Sequence, residues 1–393
     1  MKDERWLLPE GIEEVLPRQV RALERLRRRL LDIYDRWGYE RVMPPFIEYL
    51  ESLLTGTGND LDLQTFKLTD QLSGRMMGIR ADMTPQVSRI AACHLQQDAP
   101  VRLCYIGSVI KTRPDSFASS RSPLQLGAEL YGHSGVESDI EILRLMIETL
   151  HQSGIAQPYI DLGHVGIYRG LAQQAGLSQE QEATLFDALQ RKARPEIEAC
   201  LGDWKLDDSV ADMLLALVDL NGGEEVLQQA KEQLQSAAEG VTAALKNLAA
   251  IAAGLRLQQP LLNLHYDLAE LRGYHYHTGV VFAAYVAGRG LAIAQGGRYD
   301  DIGKVFGNAR PATGFSTDLK VLIESEPETD ERLGAIFAPA DNAVELMKLI
   351  GELRAQGQRV IQALPGQKGG AAEMSCEREI VNLRGCWTVK DSD

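Results

Sequence analysis

Leucine and isoleucine recur every three or four positions among arginines in "VRALERLRRRLLDIYDR", which predicts an amphipathic helix from about Arg18 to Arg36. The period then changes. "YERVMPPFIEY" predicts extended backbone, because Pro44-Pro45 excludes helix and restricts the residue before it. "QTFKLTDQLSGRMMGIRADMT" predicts two short strands about an "LSGR" turn, after which Thr84-Pro85 opens a helix with proline in its first turn. "RLCYIGSVIKT" and "SPLQLGAELYG" predict two strands joined by a polar loop over 112–122. Alternation in the second puts Gln125, Gly127 and Glu129 on one face. A helix from about Val136 to Ser153 and a strand, "PYIDLGHV", follow.

From about Leu177 to Leu257 the chain is rich in Ala, Gln, Glu and Leu with no strand period, which predicts an all-helical insert. Strand patterns return in "LLNLHYDL", "HTGVVFAAYV" and "LAIAQGG". An acidic, proline-containing linker, "ESEPETDE", precedes a tail whose "LGAIFAP", "VELMKLIGELRAQG" and "RVIQAL" spell strand, helix, strand. The predicted class is therefore α+β. A mixed, mainly antiparallel sheet over 1–323 carries a helical insert at about 177–257, and a small α/β unit occupies 332–393.

Charge lowers the expectation of nucleic-acid binding, since 55 acidic residues outnumber 41 Lys and Arg for a net −14. The basic run at 25–36 fits a solvated helix face. Cys93, Cys104, Cys200, Cys376 and Cys386 form no C-x-x-C pair, so neither a zinc knuckle nor a disulfide frame is expected. "MKDERWLLPEG" lacks the apolar stretch of a leader, and no run of 18 apolar residues exists. A soluble, cytoplasmic protein with no membrane contact is expected.

Two segments carry candidate chemistry. In "LRGYHYHTGVVF" (271–282), His275 and His277 would share a face of a strand as a metal pair, but no third ligand stands at a recognisable spacing, so no metal is expected. Ordinary strand packing accounts for the segment too. A small-molecule pocket accounts for more of it, with Arg272 gripping a carboxylate bidentately and the aromatics forming walls. "AQGGRYDDIG" (294–303) sets paired glycines before Arg298, Tyr299 and Asp300, which permits close approach of a backbone, although such turns are common.

In their order along the chain, "IRADMTPQVSR", "YIGSV…QLGAELYG", "LRGYHYHTGVVF" and "AQGGRYDDIGKVFGNARPATGF" resemble the catalytic domain of histidyl-tRNA synthetase, a class II aminoacyl-tRNA synthetase, over roughly residues 5–322. The resemblance implies a class II antiparallel sheet flanked by helices, and a histidine pocket. Asp82 stands where that family has a glutamate for the α-amino group, and Thr84, Gln125 and Glu129 keep their places, Glu129 suited to accept from an imidazole N–H. Arg272 matches the arginine near the histidine carboxylate, Tyr276 the first tyrosine of its signature, and His277 replaces the second.

The nucleotide half departs from the family. Lys111 occupies the position of the arginine that grips the α-phosphate, Arg113 the position of an acid, and Val321 that of the arginine that stacks on adenine. Lysine neutralises phosphate but lacks the planar fork of arginine. Loss of one positioned transition-state donor costs about 10²–10³ in rate. The 71 residues after Leu322 are fewer than the family's usual anticodon-binding domain, so no tRNA is expected as a partner.

This combination is similar to a family of synthetase paralogues, the regulatory subunits of ATP phosphoribosyltransferase. That resemblance implies a chain with no catalysis and no cofactor, assembled with a short-form catalytic transferase subunit in the first step of histidine biosynthesis and conveying histidine feedback. A homodimeric unit through "GYERVMPPFIE" inside a hetero-oligomer is expected as well. A phosphoribosyl-pyrophosphate loop needs paired acids followed by small residues, and neither Asp207-Asp208 nor Asp300-Asp301 supplies that run. An active histidyl-tRNA synthetase, or a free-standing histidine sensor or enzyme on the same fold, are the alternatives.

Overall fold

A computed structural model describes residues 6–55, 59–95, 97, 99–114, 120–274, 276–307, 309–325 and 334–392, with residues 59 and 60 by their backbone alone. The chain divides into two units, Met1–Glu326 and Pro327–Asp393.

In the first unit, helix α1 (Pro17–Arg36) begins on a proline, whose missing N–H costs a helix nothing at that place. Leu23, Leu26, Leu30 and Ile33 are its buried stripe. The Pro-Pro stretch separates two short strands, β1 (Glu40–Arg41) and β2 (Ile47–Tyr49). After helices α2 (Leu50–Leu53) and α3 (Asn59–Gln64) come β3 (Phe66–Thr69) and β4 (Met76–Ile79), which pair antiparallel about the expected turn. Helix α4 (Thr84–His94) follows with Pro85 in its first turn.

Strands β5 (Val101–Ser108) and β6 (Leu124–Tyr131) pair antiparallel along their whole length. Helix α5 (Val136–Gln152), strand β7 (Tyr159–His164) and helix α6 (Val165–Gln174) complete the first half of the sheet unit. The segment expected to be all helical holds α7 (Gln179–Gln190), α8 (Arg194–Asp203) and α9 (Asp208–Ala216), then α10 (Glu225–Gln233) and α11 (Glu239–Arg256). Between them lies an exception, strand β8 (Asn221–Gly222), which pairs with β9 (Asn263–Asp267). Two residues leave no period to detect, so propensity alone missed it. Strands β10 (Val280–Tyr285), β11 (Ala294–Arg298) and β12 (Ala312–Asp318) precede the short helix α12 (Leu319–Ile323).

Nine strands make one sheet in the order β1-β5-β6-β12-β11-β10-β7-β9-β8. Pairing is antiparallel except β1 with β5 and β7 with β9. Because successive side chains alternate, the sheet has two faces of different character. Leu126, Ala128 and Leu130 of β6 join Leu143 and Met146 of α5 in the main core. On the opposite face Met83, Val87, Tyr105, Tyr131 and Tyr299 form a smaller cluster beside α4. Glu129 of β6, 1% exposed, is a buried acid among its otherwise apolar neighbours on that strand.

The second unit builds β13 (Ile336–Ala338), helix α13 (Val344–Ala355) and β14 (Val360–Gln362), as the tail pattern predicts. It adds a hairpin, β15 (Arg378–Leu383) and β16 (Cys386–Asp391), giving a four-stranded sheet in the order β14-β13-β15-β16. Mixed charges over 377–391 obscured the alternation in that hairpin. Among the described residues no helix is long and apolar enough to cross a membrane.

Candidate functional site

The second face of the large sheet is hollowed where glycines replace side chains. Gly296 and Gly297 of β11 face Phe315 and Gly314 of β12. A Cβ on Gly314 would come within 1.5 Å of Glu129 Oε2, so the cavity floor admits only glycine there. The resulting cavity, about 270 Å³, is lined by Asp82, Thr84, Glu129, Arg272, Tyr276 and residues of β10 to β12. It is small for a drug-sized ligand and suits a compact one.

Its inner end is a chain of hydroxyls converging on Glu129. Tyr105 donates to Glu129 Oε1 at 2.9 Å, and Tyr299 donates to Oε2. Thr84 Oγ1 lies 2.9 Å from the Tyr105 hydroxyl. Burial pushes the Glu129 carboxyl up to about 8, the two tyrosine hydroxyls pull it down, and Asp82 raises it further. Tyr276 stacks on Tyr299 with ring centroids 5.0 Å apart, and its buried hydroxyl makes no hydrogen bond among the described residues. A buried hydroxyl without a partner beside a cavity is a group suited to a ligand.

Asp82 is held by its neighbours at the start of α4. Gln125 Nε2 donates to Asp82 Oδ1 at 2.7 Å and the Thr84 amide does so at 3.0 Å, while Gln125 Oε1 accepts from the Met83 amide at 2.9 Å. Both bonds fall on Oδ1, which leaves Oδ2 its acceptor capacity among the described residues.

Arg272 stands at the opposite wall, and its surroundings differ from the sequence expectation. Residues 272–274 are a turn with Gly273 at φ +64°, not a strand; the strand begins at Val280. Glu270 accepts from Arg272 Nε at 3.0 Å and Nη2 at 2.6 Å, and Nη2 also donates to the Tyr285 hydroxyl. The second oxygen of Glu270 accepts from the Arg272 amide at 2.8 Å. Burial lowers the Arg272 guanidinium, but Glu270 outweighs it and holds the group above its ordinary value. Glu270 lines the cavity and was missed in the sequence, where only its spacing of two from Arg272 in a tight turn could have drawn notice.

His277 lines the same cavity. Its Nδ1 lies 3.3 Å from the Arg298 carbonyl, and burial pushes the imidazole down to about 4, so it is neutral. His275, the other half of the considered metal pair, lies outside the described residues. Among the described residues no group of three or more His, Cys, Asp or Glu could hold a metal ion.

Beside this cavity opens a larger one of about 790 Å³, sharing Asp82, Arg272 and Tyr276 and extending to Gln125, Lys111 and Val321. Lys111 and Val321, 210 positions apart in sequence, thus line one cavity. Arg113 is exposed and does not line the cavity, a difference from the expectation that grouped it with them. Its loop turns away after Thr112, whose amide donates to the Gln64 carbonyl at 2.9 Å. Lys320, next to Val321, reaches Ser122 at 3.4 Å and Glu13 at 3.5 Å and is absent from the cavity lining.

Arg298 and Asp300, singled out by the paired glycines, support the site from beneath. Arg298 Nε donates to Asp139 Oδ2 at 3.1 Å, Nη1 to Asp300 Oδ1 at 3.2 Å and Nη2 to Ser138 at 2.8 Å. The network anchors the start of α5 under β11.

Comparison with known proteins agrees with this geometry. The profile of the family "Histidyl-tRNA synthetase" matches residues 11–322, and that of the "ATP phosphoribosyltransferase subunit HisZ C-terminal domain" matches 333–390. An ATP phosphoribosyltransferase regulatory subunit of Thioalkalivibrio sulfidiphilus is 60% identical, covering 98% of each chain. One from Alkalilimnicola ehrlichii is 58% identical over 96% of this chain and 95% of its own. Among solved structures, an ATP phosphoribosyltransferase regulatory subunit/histidyl-tRNA synthetase of Bacillus halodurans superposes with a TM-score of 0.84 at 26% identity, covering 95% of this chain and 97% of that one. Histidyl-tRNA synthetase of Nostoc sp. PCC 7120 shares the fold, with a TM-score of 0.78 at 20% identity over 98% and 94% of the two chains. With a synthetase-type sheet unit, a matching C-terminal unit and full-length relatives of one kind, the chain belongs to the family of ATP phosphoribosyltransferase regulatory subunits.

Proposed function

We propose that this regulatory subunit performs no reaction itself, assembles with a separate short-form catalytic subunit of ATP phosphoribosyltransferase, and binds histidine in the smaller cavity. One observation carries the reading. An amino-acid-sized cavity with an acid for an amine (Asp82) and an acid for an imidazole (Glu129) adjoins a nucleotide-sized cavity whose walls bear Lys111 and Val321. Arginines at those positions would clamp a phosphate and stack on a base; lysine offers a point charge and valine neither. Recognition is thus retained where activation has lost its electrostatic help.

Histidine bound in the cavity would shift the assembly by whatever difference in affinity it has for the assembly's states. The 1–323 sheet unit would be the sensing part, 332–393 a separate unit, and the sensing units would pair as a homodimer within the hetero-oligomer. Neither tRNA nor a cofactor has a role here. The test combines two measurements on the purified full chain: histidine-dependent ATP–pyrophosphate exchange, and activation of a short transferase subunit on mixing. Activation without exchange is expected. Clear exchange would mark an active synthetase, and failure to activate any cognate short subunit a free-standing histidine binder.

A further inference from the structure

Arg272 is the one guanidinium lining the smaller cavity among the described residues, and its donors are nearly all taken. A guanidinium has five N–H groups: one on Nε and two on each Nη. The Nε proton goes to Glu270; of the two on Nη2, one goes to Glu270 and the other to Tyr285. What remains is the pair on Nη1. A two-pronged grip on a carboxylate needs parallel N–H groups from two different nitrogens. That geometry is unavailable while Glu270 and Tyr285 are in place. Glu270 is itself fixed by the Arg272 amide at 2.8 Å. It is only 12% exposed, so few water molecules compete for the contact.

The charge of the cavity points the same way. Asp82 and Glu270 line it against the guanidinium of Arg272, while buried Glu129 keeps its proton at neutral pH and the imidazole of His277 is neutral. A ligand carboxylate enters a wall whose positive charge is already matched. A ligand amine meets Asp82, and an imidazole N–H meets Glu129.

On the reading that the cavity takes histidine, we propose that Glu270 and Tyr285 occupy the carboxylate grip of Arg272, so that the site selects imidazole-bearing amines by their imidazole and amine and discriminates little on the carboxylate. Glu270 is then a specificity-determining residue.

Histamine, which is histidine without its carboxylate, is the direct probe. Isothermal titration of the full chain with L-histidine and with histamine should give dissociation constants within tenfold of each other. A charge-assisted two-pronged grip would separate them by more than about tenfold. Glu270→Ala, which releases Nε and one Nη2 proton, should widen the preference for histidine beyond tenfold. Tyr285→Phe, which releases the other Nη2 proton, should widen it by less, and serves if Glu270→Ala does not fold. A wild-type preference for histidine above tenfold overturns the proposal, as does an unchanged ratio in the variants. Binding of neither molecule instead refutes the histidine reading of the cavity, and the proposal with it.

Discussion

Glu129 and Gly314 face each other across the antiparallel pair β6 and β12, and a methyl group on Gly314 would lie 1.5 Å from the carboxyl oxygen. The acid cannot swing aside freely, because Tyr105 and Tyr299 hold its two oxygens. Gly314→Ala should therefore cost about 1–3 kcal/mol of stability, the usual range for overpacking. It should also abolish histidine binding. Urea denaturation and ligand titration check the two parts.

The Glu129 carboxyl also gives stability a pH signature. Burial raises it from 4.5 to about 8, so between these values the unfolded chain ionises the group while the folded chain keeps it protonated. Its contribution to stability is complete below about pH 4.5, falls as pH rises, and levels off above about 8. The limiting slope is about 1.4 kcal/mol per pH unit for one proton. Glu129→Gln should remove this slope, so the variant should gain stability relative to the wild type as pH rises towards about 8. Denaturation midpoints from pH 5 to 9 measure it.

Arg298 is almost wholly enclosed, and Asp139, 1% exposed, depends on it for its charge. Burial pushes the Asp139 carboxyl up while Arg298 pulls it back down. Arg298→Met would strand that acid and leave the carbonyls of His133 and Gly135 to Ser138 alone among the hydrogen bonds described. Removing one partner of a buried pair costs about 3–5 kcal/mol. Chemical denaturation should show a loss of that size, whereas Asp139→Asn, which keeps a hydrogen-bonding shape, should cost less.

Restoring guanidinium groups tests the larger cavity. Lys111→Arg with Val321→Arg should raise ATP affinity by tenfold or more, since each adds a planar group able to fork a phosphate or stack on a base. Fluorescent-nucleotide titration measures the gain. Pyrophosphate exchange should stay negligible if other parts of the activation machinery are missing as well.

Long periodic elements were legible in the sequence for a simple reason: α1 repeats its buried stripe turn after turn, and β6 sends Leu126, Ala128 and Leu130 to the face opposite Gln125, Gly127 and Glu129. That alternation put Gln125 and Glu129 on one face and family resemblance alone pointed to Asp82; Asp82 and Glu129 line the smaller cavity, Asp82 and Gln125 the larger. What stayed hidden depends on contacts with no period. The partnership of Glu270 with Arg272 arises because the chain turns at Gly273 rather than extending as a strand. Tyr105 reaches Glu129 from the neighbouring strand, and Tyr299 from 170 residues away. Arg113 joined the nucleotide group because it stands, two residues after Lys111, where the resembled family has an acid.

The large sheet ends on both sides in strands of two residues, β1 and β8. An edge that short exposes few unpaired amides and carbonyls, so another chain finds almost no template on which to add a strand. At these two outermost strands main-chain pairing therefore has little to offer a copy of the chain or a stranger, and contacts made there fall to side-chain surfaces, where sequence can specify the partner.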